Sequence, residues 1–132
     1  MFRNFKMVSK VVFGRGCTSQ LEEILNEQRR SSKAVMIFLV DDVFKTGTIE
    51  NRLPVHADDL IVWVNVDDEP KTSYVDQLTT QVKKHMVGKQ DRHPSGVIGI
   101  GGGSAMDLAK AVSLMLTNAG SSADYQGWDL IK

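Results

Sequence analysis

At 132 residues, 42% hydrophobic and 24% charged, the chain has the size and composition of one soluble globular domain with room for a core. Sixteen basic residues cancel sixteen acidic ones, which argues against the strong field that would gather nucleic acid or anionic lipid. Cys17 is the only cysteine, so no intramolecular disulfide forms and a reducing compartment is implied.

In chain order, "MFRNFKMVSK" has neither the long apolar core nor the small-residue cleavage site of a signal peptide. A short strand is expected at "VVF" (11–13). A helix is expected over "TSQLEEILNEQRR" (18–30), with Leu21, Ile24, Leu25 and Gln28 on one stripe and Thr18 or Ser19 as cap. "AVMIFLV" (34–40) is a continuous apolar run, too short to span a bilayer. "LIVWVNV" (60–66) is β-branched, and both runs suit strands covered on two faces, as in a parallel sheet. After a turn at Pro70, "TSYVDQLTTQVKKHM" (72–86) places Val75, Leu78, Val82 and Met86 at helical spacing. The polar stretch 88–96 reads as a loop, "GVIGIG" (96–101) as a further strand, and "SAMDLAKAVSLML" (104–116) as a helix burying Ala105, Leu108, Ala109, Val112 and Leu116. Strand and helix alternate, which predicts a three-layer α/β domain with a parallel sheet and right-handed crossovers. The chain is read as cytoplasmic, with no nucleic-acid or membrane partner.

The informative stretch is "GVIGIGGGSAMDLAK", where a buried strand runs into glycines and a helix follows. Glycines admit positive φ and let a ligand approach the main chain. The helix start presents free N–H groups and the positive end of its dipole, so the turn is suited to phosphate. Known fingerprints do not fit. A G-x-G-x-x-G beginning at Gly99 and Gly101 meets Ser104 where its third glycine belongs, and no P-loop is present. A second reading stays open: Ser104 and Asp107 form an S-x-x-D capping box, and Asp107 with Lys110 a surface ion pair, neither needing a ligand.

"GGGSAMDLAKA" resembles the signature of the iron-containing, metal-dependent alcohol dehydrogenase family, whose usual form is GGGS-x-x-D-x-A-K. "VVFGRG", "FLVDD", "VDDEPKTSYV" and "DYQGW" resemble further stretches of that family in the same order, so the resemblance covers nearly the whole chain. It implies a dehydroquinate synthase-like architecture in which residues 1–132 form the N-terminal NAD(P)-binding domain, incomplete, without the helical C-terminal metal domain. On that resemblance Gly102, Gly103 and Ser104 bind the cofactor pyrophosphate. Asp107 lies beside the nicotinamide-side ribose and phosphate. Asp41 takes the adenosine ribose and favours NAD over NADP, the alternative being that Asp41 or Asp42 caps the next helix. Glu69, where many members carry asparagine before the proline, is carried over as a cofactor residue.

The family binds a divalent metal, iron or zinc, through one aspartate and three histidines. His56, His85 and His93 share no ligand spacing and read as surface histidines, so the metal, like the catalytic residues, is expected only in a full-length parent. In detail "EPKT" and "YQGWDLIK" look most like the 3-deoxy-manno-octulosonate 8-oxidase branch. That implies an alcohol or sugar-acid substrate oxidised to a carbonyl, at C8 of a lipopolysaccharide sugar. The resemblance also implies a homodimer. Two alternatives are a dehydroquinate synthase-like lyase, whose loop usually lacks the serine and the A-K pair, and a non-catalytic nucleotide-binding module. Trp128 and the "LI" beside it, expected to be exposed, suggest an interrupted chain.

Overall fold

The computed structural model describes residues 8–67, 69–127 and 130. Most of the leader stretch, Asp68 in the aspartate turn, and Trp128, Asp129, Ile131 and Lys132 at the tail lie outside the described residues, and the expectation of an exposed Trp128 with them. The elements are α1 (Leu21–Gln28), β1 (Met36–Asp41), β2 (Leu60–Val64), α2 (Thr72–His85), β3 (Gly96–Ile100) and α3 (Gly103–Thr117), with short 3-10 turns between them. The three strands form one parallel sheet in the order β2-β1-β3, with Ile37 opposite Leu60 on one side of β1 and opposite Val97 on the other.

The continuous apolar run of β1 is divided by the two-residue period of a strand between two cores. Val35, Ile37 and Leu39 pack with Val62 and Val64 beneath α2 and α3, which contribute Val75, Leu78 and Val82, with Met86 just past the end of α2, and Leu108, Ala109, Val112, Met115 and Leu116. Met36, Phe38 and Val40 face the other way, onto Leu25 of α1 and a cover of Ile49, Leu53 and Val55 from the segment joining β1 to β2. Every residue from Met36 to Val40 has no exposed surface, which explains why this run carries no polar alternation. The expected stripes of α2 and α3 are thus the buried ones, and the layered α/β reading holds. Thr79, a polar residue buried on α2, satisfies its hydroxyl on the Val75 carbonyl at 2.8 Å.

Two expectations need correction. Residues 11–13 form no strand: Val11 is 77% and Phe13 99% exposed, so the apolar letters have no sheet to join. The first helix does not run from 18 to 30. Cys17–Gln20 is a 3-10 turn, neither Thr18 nor Ser19 caps α1, and the backbone turns extended at Arg29 (ψ 100°).

That turn has a cause. The Arg29 guanidinium, 5% exposed, meets the fully buried Asp59 carboxylate through both arms and also donates to the carbonyls of Ala34 and Pro54. Asp59 in turn accepts the N–H groups of Met36 and His56, each at 2.7 Å. One ion pair therefore ties the end of α1, the 54–59 loop and the first residue of β1 together, with its hydrogen bonds completed.

Candidate functional site

β3 and α3 meet closely at two positions that only glycine can fill. At Gly99 an added Cβ would stand 2.8 Å from the Ala109 Cβ and 3.1 Å from both the Ala105 carbonyl oxygen and the Met106 Cα, so the missing side chain lets α3 lie close on β3. Gly101 has φ +153°, and a Cβ there would meet Ala105 Cβ at 2.7 Å and Asp41 Cβ at 2.8 Å. Gly102 and Gly103 differ: both are exposed, and a Cβ on either would meet no atom within 4 Å. Their main chain is accessible from outside.

Helix α3 begins one residue earlier than the sequence suggests, at Gly103 with Gly102 as N-cap, and no side chain caps it. Ser104 is therefore inside the first turn, and the Ser104–Asp107 capping box is not formed. Asp107 pairs with Lys110 at 2.9 Å instead, as the surface ion pair alternative holds, with the two side chains 71% and 73% exposed. The backbone bonds of α3 start with the Met106 N–H on the Gly102 carbonyl at 3.2 Å. The N–H groups of Gly103, Ser104 and Ala105 precede it and have no helical acceptor, and with the dipole they make a positive rim on an open glycine surface. A capping box does form elsewhere, at Ser121 and Asp124, on the same S-x-x-D spacing.

Parallel register brings Asp41 to this turn. Val40 pairs with Ile100, so Asp41 and Gly101 leave the sheet side by side. Asp41 Oδ1 accepts the Val43 N–H at 3.1 Å, capping a 3-10 turn at 42–44, which is the alternative role foreseen for it. Its Oδ2 is the oxygen beside Gly101, 3.1 Å from where a Cβ would stand. Further along this end of the sheet, the Asn65 side-chain amide donates to Asp42 at 3.3 Å and to Asp67 at 3.1 Å. Three carboxylates thus gather where the strands end. Glu69 is exposed and opens on a separate pocket of about 150 Å³ with Asn65, Pro70, Lys71, Ser73 and Tyr74, none of which belongs to the glycine turn.

The residues at the turn fit a nucleotide cofactor on two counts: open glycine backbone with N–H donors for phosphate, and an adjacent carboxylate for a sugar hydroxyl. They do not fit a metal. Among the described residues no three of histidine, cysteine, aspartate and glutamate gather into a group that would hold one. His56 and His93 are exposed, while His85 departs from the surface reading: it is half-buried, with Nε2 2.9 Å from the Asp58 carbonyl oxygen. The larger groove, about 580 Å³, runs along the edge strand β3 and the outer flank of α3, lined by Val97, Met106, Ala109 and Leu114 among others, away from Asp41. No described helix is long and apolar enough to cross a membrane. Sequence reasoning named Gly102 and Gly103 but not the separate packing duties of Gly99 and Gly101. The signal for these was the pair of glycines two positions apart, 99 and 101, at the end of "GVIGIG".

Known proteins resemble this chain along nearly its whole length. The sequence model of the family described as iron-containing alcohol dehydrogenase matches residues 8–132. Alcohol dehydrogenase 4 of Schizosaccharomyces pombe is 31% identical over 134 residues, covering 95% of this chain and 28% of that protein. Sulfoacetaldehyde reductase of Bilophila wadsworthia is 30% identical over 131 residues, covering 94% of this chain and 30% of that protein. The chain therefore spans under a third of the length of these relatives.

Proposed function

The chain belongs to the iron-containing alcohol dehydrogenase family, and on that premise we propose that it supplies the cofactor-binding part of a metal-dependent oxidoreductase that interconverts an alcohol and a carbonyl. The observation that carries the reading is the turn itself: exposed Gly102 and Gly103 ahead of an uncapped α3, with the Asp41 carboxylate beside them. Gly102, Gly103 and Ser104 hold the pyrophosphate through main-chain N–H groups and the Ser104 hydroxyl, and Asp107 stands one turn further along α3 on the nicotinamide side. Asp41 accepts a ribose hydroxyl on Oδ2. The negative charge of Asp41, Asp42 and Asp67 at the strand ends disfavours a 2′-phosphate, so NAD is the cofactor rather than NADP. NAD, when bound, accepts or donates a hydride. Glu69, on its own pocket, acts at the rim of the cofactor site.

The metal, iron or zinc, and the residues that hold it are assigned to polypeptide outside these 132 residues, in the helical domain that the family resemblance implies. Both named relatives are, by their names, a dehydrogenase and a reductase, which supports the oxidoreductase reading over the lyase alternative. The finer substrate reading, oxidation of 3-deoxy-manno-octulosonate at its C8 hydroxyl in lipopolysaccharide sugar synthesis, rests on "EPKT" and "YQGWDLIK". A homodimer in the cytoplasm completes the proposal, the compartment argued from the single cysteine.

Calorimetric titration of the chain with NAD and NADP tests the cofactor part. NAD is expected to bind the more tightly, and Asp41→Asn to weaken NAD about tenfold while narrowing its margin over NADP. Equal affinities for both cofactors in the unaltered chain would remove the role given to Asp41. The substrate reading is tested on a polypeptide of the relatives' full length carrying this chain: turnover of simple alcohols without turnover of the sugar acid would discard it.

A further inference from the structure

We propose that the cavity between the segment after α1 and the loop before β3 is a binding site for a small oxyanion, a phosphate or carboxylate group, with Arg30 and Arg92 as its two donors. It lies at the end of the sheet where the strands begin, opposite the glycine turn, and does not depend on the cofactor reading. The cavity holds about 430 Å³, within the range of small-molecule sites, and both arginines line it. Both are exposed, and among the described residues neither guanidinium has an ion pair or a hydrogen bond. Asp91, the one acid on the wall, pairs with neither. The residue next door is the contrast: the Arg29 guanidinium is taken up by Asp59 and two carbonyls.

The two arginines come from segments far apart in sequence, yet the backbone holds those segments together. The Arg29–Asp59 pair anchors the chain just before Arg30. The Ala34 N–H donates to the Ser31 carbonyl at 3.1 Å, and the Ser95 N–H donates to the Val35 carbonyl at 2.8 Å. Two like charges are thus brought to one cavity without a paired carboxylate, and an oxyanion between them relieves their repulsion. Each guanidinium offers a planar fork to two oxygens of a phosphate or carboxylate. The hydroxyl and amide groups of Ser31, Gln90 and Ser95, on the same wall, serve the remaining oxygens. The other side of the loop is less suited. There Arg92 also lines a cavity of about 550 Å³ with Lys83 and Lys89, but Lys89 is paired with Asp58. The last turns of α2 and α3 also bring the negative ends of two helix dipoles to that side.

The test is a ¹⁵N NMR titration of the 132-residue chain at fixed ionic strength with inorganic phosphate and, separately, with succinate. The Arg30 and Arg92 Nε–H signals report this site, and the Gly102 and Gly103 amides report the glycine turn apart from it. With at least one probe, both arginine signals are expected to move along a single saturating curve. Phosphate alone would assign a phosphate group, succinate alone a carboxylate. Arg30→Gln and Arg92→Gln should each weaken that binding at least about fivefold, and Lys84→Gln, an exposed cation outside the cavity, less than about twofold. Arg92→Lys keeps the charge without the fork and should remain at least about threefold weaker than the unaltered chain. Both arginines are exposed and unbonded, so these variants keep the fold, which the rest of each spectrum reports. Equal losses in Lys84→Gln and Arg92→Gln would reduce the effect to general charge attraction and overturn the site. So would saturation confined to the glycine-turn amides, or no saturation with either probe.

Discussion

At the end of the sheet where the strands begin, the Asp59 carboxylate takes hydrogen bonds from both arms of Arg29 and from the N–H groups of Met36 and His56. At the end where they finish, Asp41 has one such bond, from the Val43 N–H, and the first three N–H groups of α3 lack a helical acceptor behind an exposed glycine turn. Both ends hold an aspartate beside a strand, yet one is closed and the other open. A carboxylate whose acceptor capacity is filled within the chain serves the scaffold. One with an oxygen left over, beside unpaired N–H donors, is free to meet a ligand. The contrast supports the proposed site better than cavity size does, since the 580 Å³ groove along β3 holds only Lys110 as a charged group.

The contrast can be broken from its closed end first. Asp59→Ala leaves the Arg29 guanidinium buried without its partner and should cost about 3–5 kcal/mol in urea denaturation, whereas replacing both with apolar residues of similar volume should cost far less. A loss below about 1 kcal/mol for the single substitution would mean that this end does not lock the fold. Gly99→Ala comes next, at about 1–3 kcal/mol, because the Ala105 and Met106 backbone must move outward to admit the methyl. Ala109→Gly in the same chain should recover part of that loss, and no recovery would point to the backbone alone.

Acid gives a smaller, graded effect. Burial of the Asp59 carboxylate opposes its charge, but hydrogen bonds from Arg29, His56 and Met36, with the guanidinium charge, outweigh it and hold its pKa below the ordinary 3.8. A lowered folded-state pKa adds stability that is complete above the unfolded value. That stability is lost as pH falls from there through the folded pKa. Thermal stability should therefore drop below about pH 4, and Asp59→Asn should flatten that limb of the profile. An unchanged limb would assign the acid sensitivity to other carboxylates. Least of all, Lys110→Ala should shift stability by under about 0.5 kcal/mol, since its ion pair with Asp107 is solvated on both sides. A larger change would show that the pair helps to hold the start of α3.

Much of the fold was legible in the sequence because its signals were local and strong. The stripes of α2 and α3 needed only helical periodicity, and the run ending at Val40 announced a strand covered on both faces. "VVF" carries the same letters without the outcome, because strand formation needs a neighbour to pair with and Val11 and Phe13 have none among the described residues. Helix α1 stops early for a reason that lies 30 residues away, at Asp59, beyond the reach of any local pattern. The site divides in the same way. The glycine run was visible as a turn before a helix, but its N-cap was not, because S-x-x-D fits Ser104–Asp107 and Ser121–Asp124 equally and only the second closes. Asp41 was placed at the end of its strand. Its contact with Gly101 depends on parallel register, which sequence does not state.

The central position of β1 has a consequence in time. It is hydrogen-bonded along both edges and covered on both faces, so no local opening of α1, α2 or α3 alone releases its amide protons. Those protons exchange with solvent only when the whole sheet comes apart, and the slowest of them keep the clock for global unfolding. The glycine turn at the end of β3 lies outside that protected ladder, so its amides are expected to exchange sooner, and a ligand seated there, as proposed, would have only a local segment to order.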